Sequence, residues 1–225
     1  MKANAIILFT RIPVPGETKT RLQPFLTPEE CCLLQNAFIK DIYSVLQNLK
    51  TDCDIIVCYT PSGNLTDLKA LLPDADIFLA QHGHDIGEKM YNAIRQVLEE
   101  GCSRCLLIGS DLPLMRAKAL DEAFLMLEGN DMVLCPTEDG GYYLIGMKEP
   151  CKDIFCLEYG ISTVFDKTVA AAELSGKTYA VGACSMDIDE PQDLFELKNR
   201  LSKEVPSLCP ETRIILKALF RGKEA

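Results

Sequence analysis

The sequence predicts an α/β fold, a mostly parallel central sheet covered by helices on both faces. Three observations carry that expectation. Short apolar runs alternate with segments of helical periodicity, the pattern of repeated strand–helix units. The runs Ile6-Ile7-Leu8-Phe9, Ile55-Ile56-Val57 and Leu106-Leu107-Ile108 are continuously apolar, as strands buried on both faces must be. The 225 residues suit a single domain over positions 1–225. A chain of that size buries roughly 70% of its unfolded surface and needs no disulfide or metal staple.

The elements follow in order. Ala3–Phe9 reads as the first strand, and Thr10–Pro24 as a polar loop bearing Pro and Gly. Thr27-Pro28-Glu29-Glu30 is a capping box with proline at the first helical position. It opens a helix to about Leu49, with Leu33, Leu34, Ala37, Phe38, Ile42, Val45 and Leu46 at helical spacing. Asp54–Tyr59 is a strand, Asn64–Leu72 a short helix and Ala75–Ala80 a strand. Ile86–Glu99 is a helix with Met90, Ala93, Ile94 and Val97 on one face. Arg104–Ile108 is a strand, Ala117–Leu127 a helix, and Asp131–Cys135 and Tyr142–Met147 are strands. Thr163–Leu174 is helical, Ala183–Ile188 weakly strand-like, and Pro191–Leu201 and Arg213–Phe220 are helical.

Hydrophobic residues are 48% and charged residues 25%, ordinary values that exclude disorder, collagen and coiled coil. No apolar run approaches the roughly 20 residues of a membrane span. The first residues lead directly into a strand rather than a signal peptide, so a cytoplasmic location is expected. The net charge of −10 disfavours a nucleic-acid partner but leaves room for a small anion where cations gather. Eleven cysteines are scattered, some in strand-like runs (Cys58, Cys135). One CxxC at Cys102–Cys105 without a second pair, and two histidines at 82 and 84, give no reason to expect a disulfide framework or structural metal.

Ligands of such sheets collect at the carboxyl ends of the strands, so the loops there are the candidates. Thr10–Leu22 holds Arg11, Lys19 and Arg21. It is not a Walker A loop, because Thr18 precedes the lysine. It reads as an anion site, Arg gripping oxygens bidentately and Lys acting as a point charge, or as a solvated basic loop. Asp111, in Gly109-Ser110-Asp111-Leu112-Pro113, is placed to hold Mg²⁺ or to cap the next helix. Asp187-Ile188-Asp189-Glu190-Pro191 offers a second metal carboxylate or a helix cap. Asp187 and Asp189 stand two positions apart, and of the two Asp187 is expected to matter less. In Glu138-Asp139-Gly140-Gly141 the glycines admit a ligand to the backbone and Asp139 is a candidate general base, unless the segment is a plain turn. His82 and His84, two apart in a loop, are weak evidence for metal.

Together these motifs resemble the GT-A-like nucleotide-diphospho-sugar transferase superfamily, a Rossmann-type three-layer sandwich. Within it the chain looks most like the arsenosugar-biosynthesis-type bacterial glycosyltransferases. The resemblance rests on Phe9–Pro13 with Gly16–Leu22, Gln81 with Asp85–Met90, Gly109–Pro113, Asp139–Tyr143 and Asp187–Asp189. It implies that Arg11, Lys19 and Arg21 contact nucleotide phosphates, with Gln81 and Gly87 among the nucleotide-binding residues. It implies Asp111 and Asp189 as ligands of Mg²⁺ or Mn²⁺, with Asp111 and Asp139 catalytic. Gly140, Gly141, Tyr159, Ser162 and Thr163 then line an acceptor pocket. Lys89 stands where the family has Arg, and Tyr159 where it often has Trp. Nearly the same motifs serve molybdenum-cofactor and phospholactate guanylyltransferases.

Three functions follow. The first is a metal-dependent glycosyltransferase taking a nucleotide-diphosphate sugar and a small-molecule acceptor. The second is a nucleotidyltransferase joining a nucleoside triphosphate to a small phosphate with release of pyrophosphate. The third is an inactive nucleotide-binding protein.

Overall fold

The computed structural model describes residues 1–221; the last four positions of the expected 1–225 domain lie outside the described residues. One seven-stranded sheet forms the centre: β1 (Asn4–Arg11), β2 (Asp54–Thr60), β3 (Ile77–Ala80), β4 (Arg104–Gly109), β5 (Met132–Pro136), β6 (Tyr142–Met147) and β7 (Tyr179–Val181), in the order β3-β2-β1-β4-β6-β5-β7. Only β6 runs antiparallel, between β4 and β5. The helices are α1 (Pro28–Gln47), α2 (Leu65–Leu71), α3 (Ile86–Glu99), α4 (Ala117–Gly129), α5 (Val164–Leu174), α6 (Pro191–Ser202) and α7 (Pro210–Arg221). None of the described helices is long and apolar enough to cross a membrane.

The doubly apolar strands serve two cores. Ile6 and Leu8 face one side, with Leu106, Ile108, Ile39 and Ile42 of α1, and Leu120 and Phe124 of α4. Their neighbours Ala5 and Ile7 face the other, with Leu107, with Met90 and Ile94 of α3, with Ala172 of α5, and with Phe155 from the turn before α5. This is the period-two alternation of a strand filled with apolar side chains on both faces. A third cluster joins Leu22 and Leu26 of the first loop to Leu34 and Phe38 of α1 and to Ile188, Leu194, Leu197 and Leu216 from the C-terminal region. It ties the phosphate-loop candidate to the segment carrying Asp189.

Most boundaries fall within two residues of the expected ones. The capping box forms, with Thr27 accepting from Glu30 N and Glu30 accepting from Thr27 N. The C-terminal third differs. The weak strand expected over Ala183–Ile188 is absent; the seventh strand is Tyr179–Val181, paired parallel with Met132–Leu134. Tyr-Ala-Val has the side chains that suit a strand. After it Gly182 N donates to Leu134 O, a bridge joins Thr137 and Ser185, and the chain then turns across the sheet toward β4.

The sheet order places a topological switch point between β1 and β4. From β1 the chain goes outward to β2 and β3, then returns past β1 to β4. At such a point the loops after the two adjacent strands diverge and leave a crevice. They are the loops carrying Lys19 and Asp111.

Candidate active site at the switch point

The loop after β1 is held from within. Thr18 is buried and its Oγ1 accepts from Val14 N at 2.8 Å, while Leu22 N donates to Lys19 O at 2.9 Å. Lys19 sits between these ties in the left-handed region, at φ 48°, a conformation that costs a non-glycine residue of order 1 kcal/mol. Its surroundings fix it there: the side chain is only 5% exposed.

The Lys19 ammonium lies between two carboxylates. It donates to Asp111 Oδ1 at 2.6 Å and to Asp189 Oδ1 at 3.1 Å, and it also donates to the Ile188 carbonyl. Burial alone pulls a lysine's pKa down, but the negative charges of Asp111 and Asp189 outweigh it and hold Lys19 above its usual value. Ile188 N donates to Asp111 O at 3.0 Å, so backbone as well as side chains pin the two loops together.

Neither carboxylate is consumed as a helix cap. The N-cap of α4 is Arg116, five residues beyond Asp111. At the start of α6, Asp193 Oδ2 accepts from both Asp189 N (2.9 Å) and Glu190 N (2.7 Å), which leaves the Asp189 carboxylate to Lys19 and, at 3.8 Å, to Arg21. Behind Asp111, buried Ser110 accepts from Thr10 Oγ1 and Gln35 Nε2, both at 2.9 Å. These bonds anchor the β4 loop to β1 and α1.

The other candidates distribute around this centre. Arg11 ends β1 at the same edge, exposed and without an ion-pair partner among the described residues; Arg21 is 65% exposed. Asp139 Oδ1 accepts from Thr137 Oγ1 and from Gly141 N, so this carboxylate shapes its own turn. Glu138 beside it holds Arg200 of α6 through two parallel hydrogen bonds of 3.1 and 3.2 Å. Asp187 is half-buried and its carboxyl is pushed up to about 6, chiefly by burial and then by the charges of Asp139 and Asp189. Residues two apart on an extended segment share a face: Met186 and Ile188 are buried while Asp187 and Asp189 are both partly exposed, and Asp187 feels both Asp139 and Asp189.

Gln81 and Gly87 are built into the scaffold. The Gln81 amide is buried and fully engaged, donating to Thr10 O (2.9 Å) and Cys58 O (3.1 Å) and accepting from Thr60 Oγ1 (2.9 Å). It clamps the carboxyl ends of β1, β2 and β3. A side chain at Gly87 would collide with Phe155 O and meet the Tyr159 ring at 2.8 Å; glycine is required there so that α3 can pack. Gly140, at φ +90°, lies against the backbone of Ser162 and its carbonyl accepts from Phe165 N, which joins the 137–141 turn to the start of α5. Ser162 and Thr163 are exposed; the Tyr159 hydroxyl lies 3.4 Å from that of Tyr142. His82 and His84 are exposed on a loop.

For a hard dication the fitting donors are Asp111 and Asp189. Both are oxygen ligands, both about two-fifths exposed, and both reach one point, now taken by a cationic nitrogen. Mg²⁺ and Mn²⁺ use such carboxylates with phosphate oxygens and water completing the shell.

Residues 45–158 match the model of a family described as uncharacterized proteins conserved in bacteria, DUF2064. The chain belongs to this family. This DUF2064 protein is also 32% identical over 197 residues to the 2-phospho-L-lactate guanylyltransferase of Methanocaldococcus vulcanius, covering 85% of this chain and 83% of the other. It superposes on a Desulfovibrio desulfuricans protein whose structure was assigned to the nucleotide-diphospho-sugar transferases, with TM-score 0.86, 28% identity, and 97% and 99% of the two chains covered. A more distant likeness, of fold alone, is to Rv0371c of Mycobacterium tuberculosis solved in complex with manganese (TM-score 0.52, 16% identity, 91% and 100% covered). The fold of the DUF2064 protein is thus that of the nucleotide-diphospho-sugar transferases. The curated relative is a guanylyltransferase.

Proposed function

We propose that this chain is a nucleotidyltransferase that joins a nucleoside triphosphate to a small phosphate and releases pyrophosphate. The observation that carries the reading is the Lys19–Asp111–Asp189 constellation at the β1/β4 switch point, in a chain 32% identical to a guanylyltransferase. An oxygen of the acceptor phosphate attacks the α-phosphorus; the bond from that phosphorus to the bridging oxygen breaks, and pyrophosphate leaves with the electron pair. Asp111 and Asp189 would hold Mg²⁺ or Mn²⁺, which supplies charge neutralisation for the polyphosphate. Lys19, Arg11 and Arg21 bring positive charge to the same oxygens, where stabilisation of the leaving group is worth most.

The acceptor chemistry assigns Asp139 a limited role. A phosphate monoester is already largely ionised at neutral pH, its second pKa being about 6, so its attack needs no general base. A sugar acceptor's hydroxyl would need one. The second reading, sugar transfer from a nucleotide-diphosphate donor as in the arsenosugar-type enzymes, draws on the structural likeness to the Desulfovibrio protein. Asp139→Asn separates the two. It keeps the Oδ1 acceptor that Thr137 and Gly141 use, so turnover stays within about threefold for a phosphate acceptor and falls about a hundredfold for a hydroxyl acceptor.

The direct test is a panel of nucleoside triphosphates and small phosphates with Mg²⁺ or Mn²⁺, followed by pyrophosphate release. Release that requires both acceptor and metal is the expected result. Consumption of sugar nucleotides without pyrophosphate from any triphosphate would move the assignment to the second reading. No response to either would leave a binding protein.

A further inference from the structure

A protonated lysine has three N–H donors, and in Lys19 all three have acceptors: Asp111 Oδ1, Asp189 Oδ1 and the Ile188 carbonyl. The residue that would meet a triphosphate is therefore fully engaged, and it occupies the point at which both metal-binding carboxylates converge. To reach a phosphate oxygen it must release an acceptor. For a dication to sit between the carboxylates, the ammonium must leave. The side chain is buried and its backbone is left-handed, so this placement belongs to the scaffold.

We propose that Lys19 is the resident cation of the metal position: its ammonium holds Asp111 and Asp189 together in the nucleotide-free protein and keeps divalent metal weak there until a polyphosphate draws it away. The proposal rests on the nucleotidyl-transfer reading for what displaces Lys19. It orders the events, since triphosphate and metal enter together and free metal does not bind first. Arg21, also near Asp189 but exposed at 3.8 Å, lacks the position to do the same.

The test is Mn²⁺ binding to the full chain without nucleotide, followed by the electron paramagnetic resonance signal of free Mn²⁺. Lys19→Met is expected to bind Mn²⁺ at least about tenfold more tightly than the parent protein, because a unit positive charge leaves the space between two carboxylates. Adding Asp111→Asn to Lys19→Met should remove that gain. Arg21→Gln should stay within about threefold of the parent, as an exposed charge in water does. If melting curves show that Lys19→Met is unfolded, Lys19→Gln carries the same expectation. The proposal is overturned if neither Lys19 variant tightens Mn²⁺ binding, if Arg21→Gln tightens it as much, or if the gain survives Asp111→Asn. The measurement uses neither turnover nor nucleotide, so absence of pyrophosphate release would refute the functional reading without touching this result.

Discussion

The two ends of the sheet are both rich in charge, and they organise it differently. At the carboxyl end one ammonium, 5% exposed, is shared by two carboxylates from loops far apart in sequence. At the amino end Lys2 pairs with Asp52 at 2.8 Å, the two side chains 47% and 85% exposed. They border an open groove of about 560 Å³ that Asp54, Asp74 and Asp76 also line. The groove has volume and acidity but no shared centre. Water screens each of its ions separately, so such pairs contribute little. What distinguishes the carboxyl end is a cation removed from water and held at a fixed point between two anions.

That contrast breaks most sharply at Asp111. Asp111→Asn should lower metal-dependent turnover by about a hundredfold or more, while stability falls by only about 1 kcal/mol because Lys19 keeps Asp189 and the Ile188 carbonyl. Turnover and melting temperature measured on one preparation check it; a strongly destabilised, fully active variant would return Asp111 to the scaffold.

The next effect is smaller and of opposite sign. The Asp187 carboxyl is raised from 3.8 to about 6, so the folded protein holds this proton more tightly than the unfolded chain does. The stabilisation is fully present below about pH 3.8 and is lost as pH rises through about 6. Asp187→Asn should therefore stabilise the metal-free protein at pH 7.5 by about 1 kcal/mol, discounted for partial exposure, and change little at pH 4. Melting in EDTA at both pH values measures it, and equal shifts at the two would show that the carboxyl is not perturbed. The smallest effect belongs to the amino end: Lys2→Ala should leave the denaturant midpoint unchanged within error, as the loss of an exposed pair does. A larger loss would mean the exposed pair there is as structured as the Lys19 centre.

The sequence by itself determined the architecture. Doubly apolar strands such as Ile6–Phe9 and Leu106–Ile108 have one stable home, a sheet buried on both faces, and the Thr27–Glu30 box marks its helix start through bonds three residues apart. These signals are local, so they are legible in the chain. Asp111, Asp189, Lys19 and Arg21 were also visible as charges at strand ends, but their mutual arrangement was not. Gln81 reads as a ligand-contacting amide, yet the fold spends it on Thr10, Cys58 and Thr60. Ala183–Ile188 reads as a strand from its composition, yet pairing with β5 is taken by Tyr179–Val181, and the freed segment crosses to Asp111. Strand partners and cross-sheet contacts are set by which elements fill the same space, through bonds spanning 75 to 170 positions. Only the tertiary structure could place a lysine where the two carboxylates meet, because that point is made by packing and by no single stretch of chain.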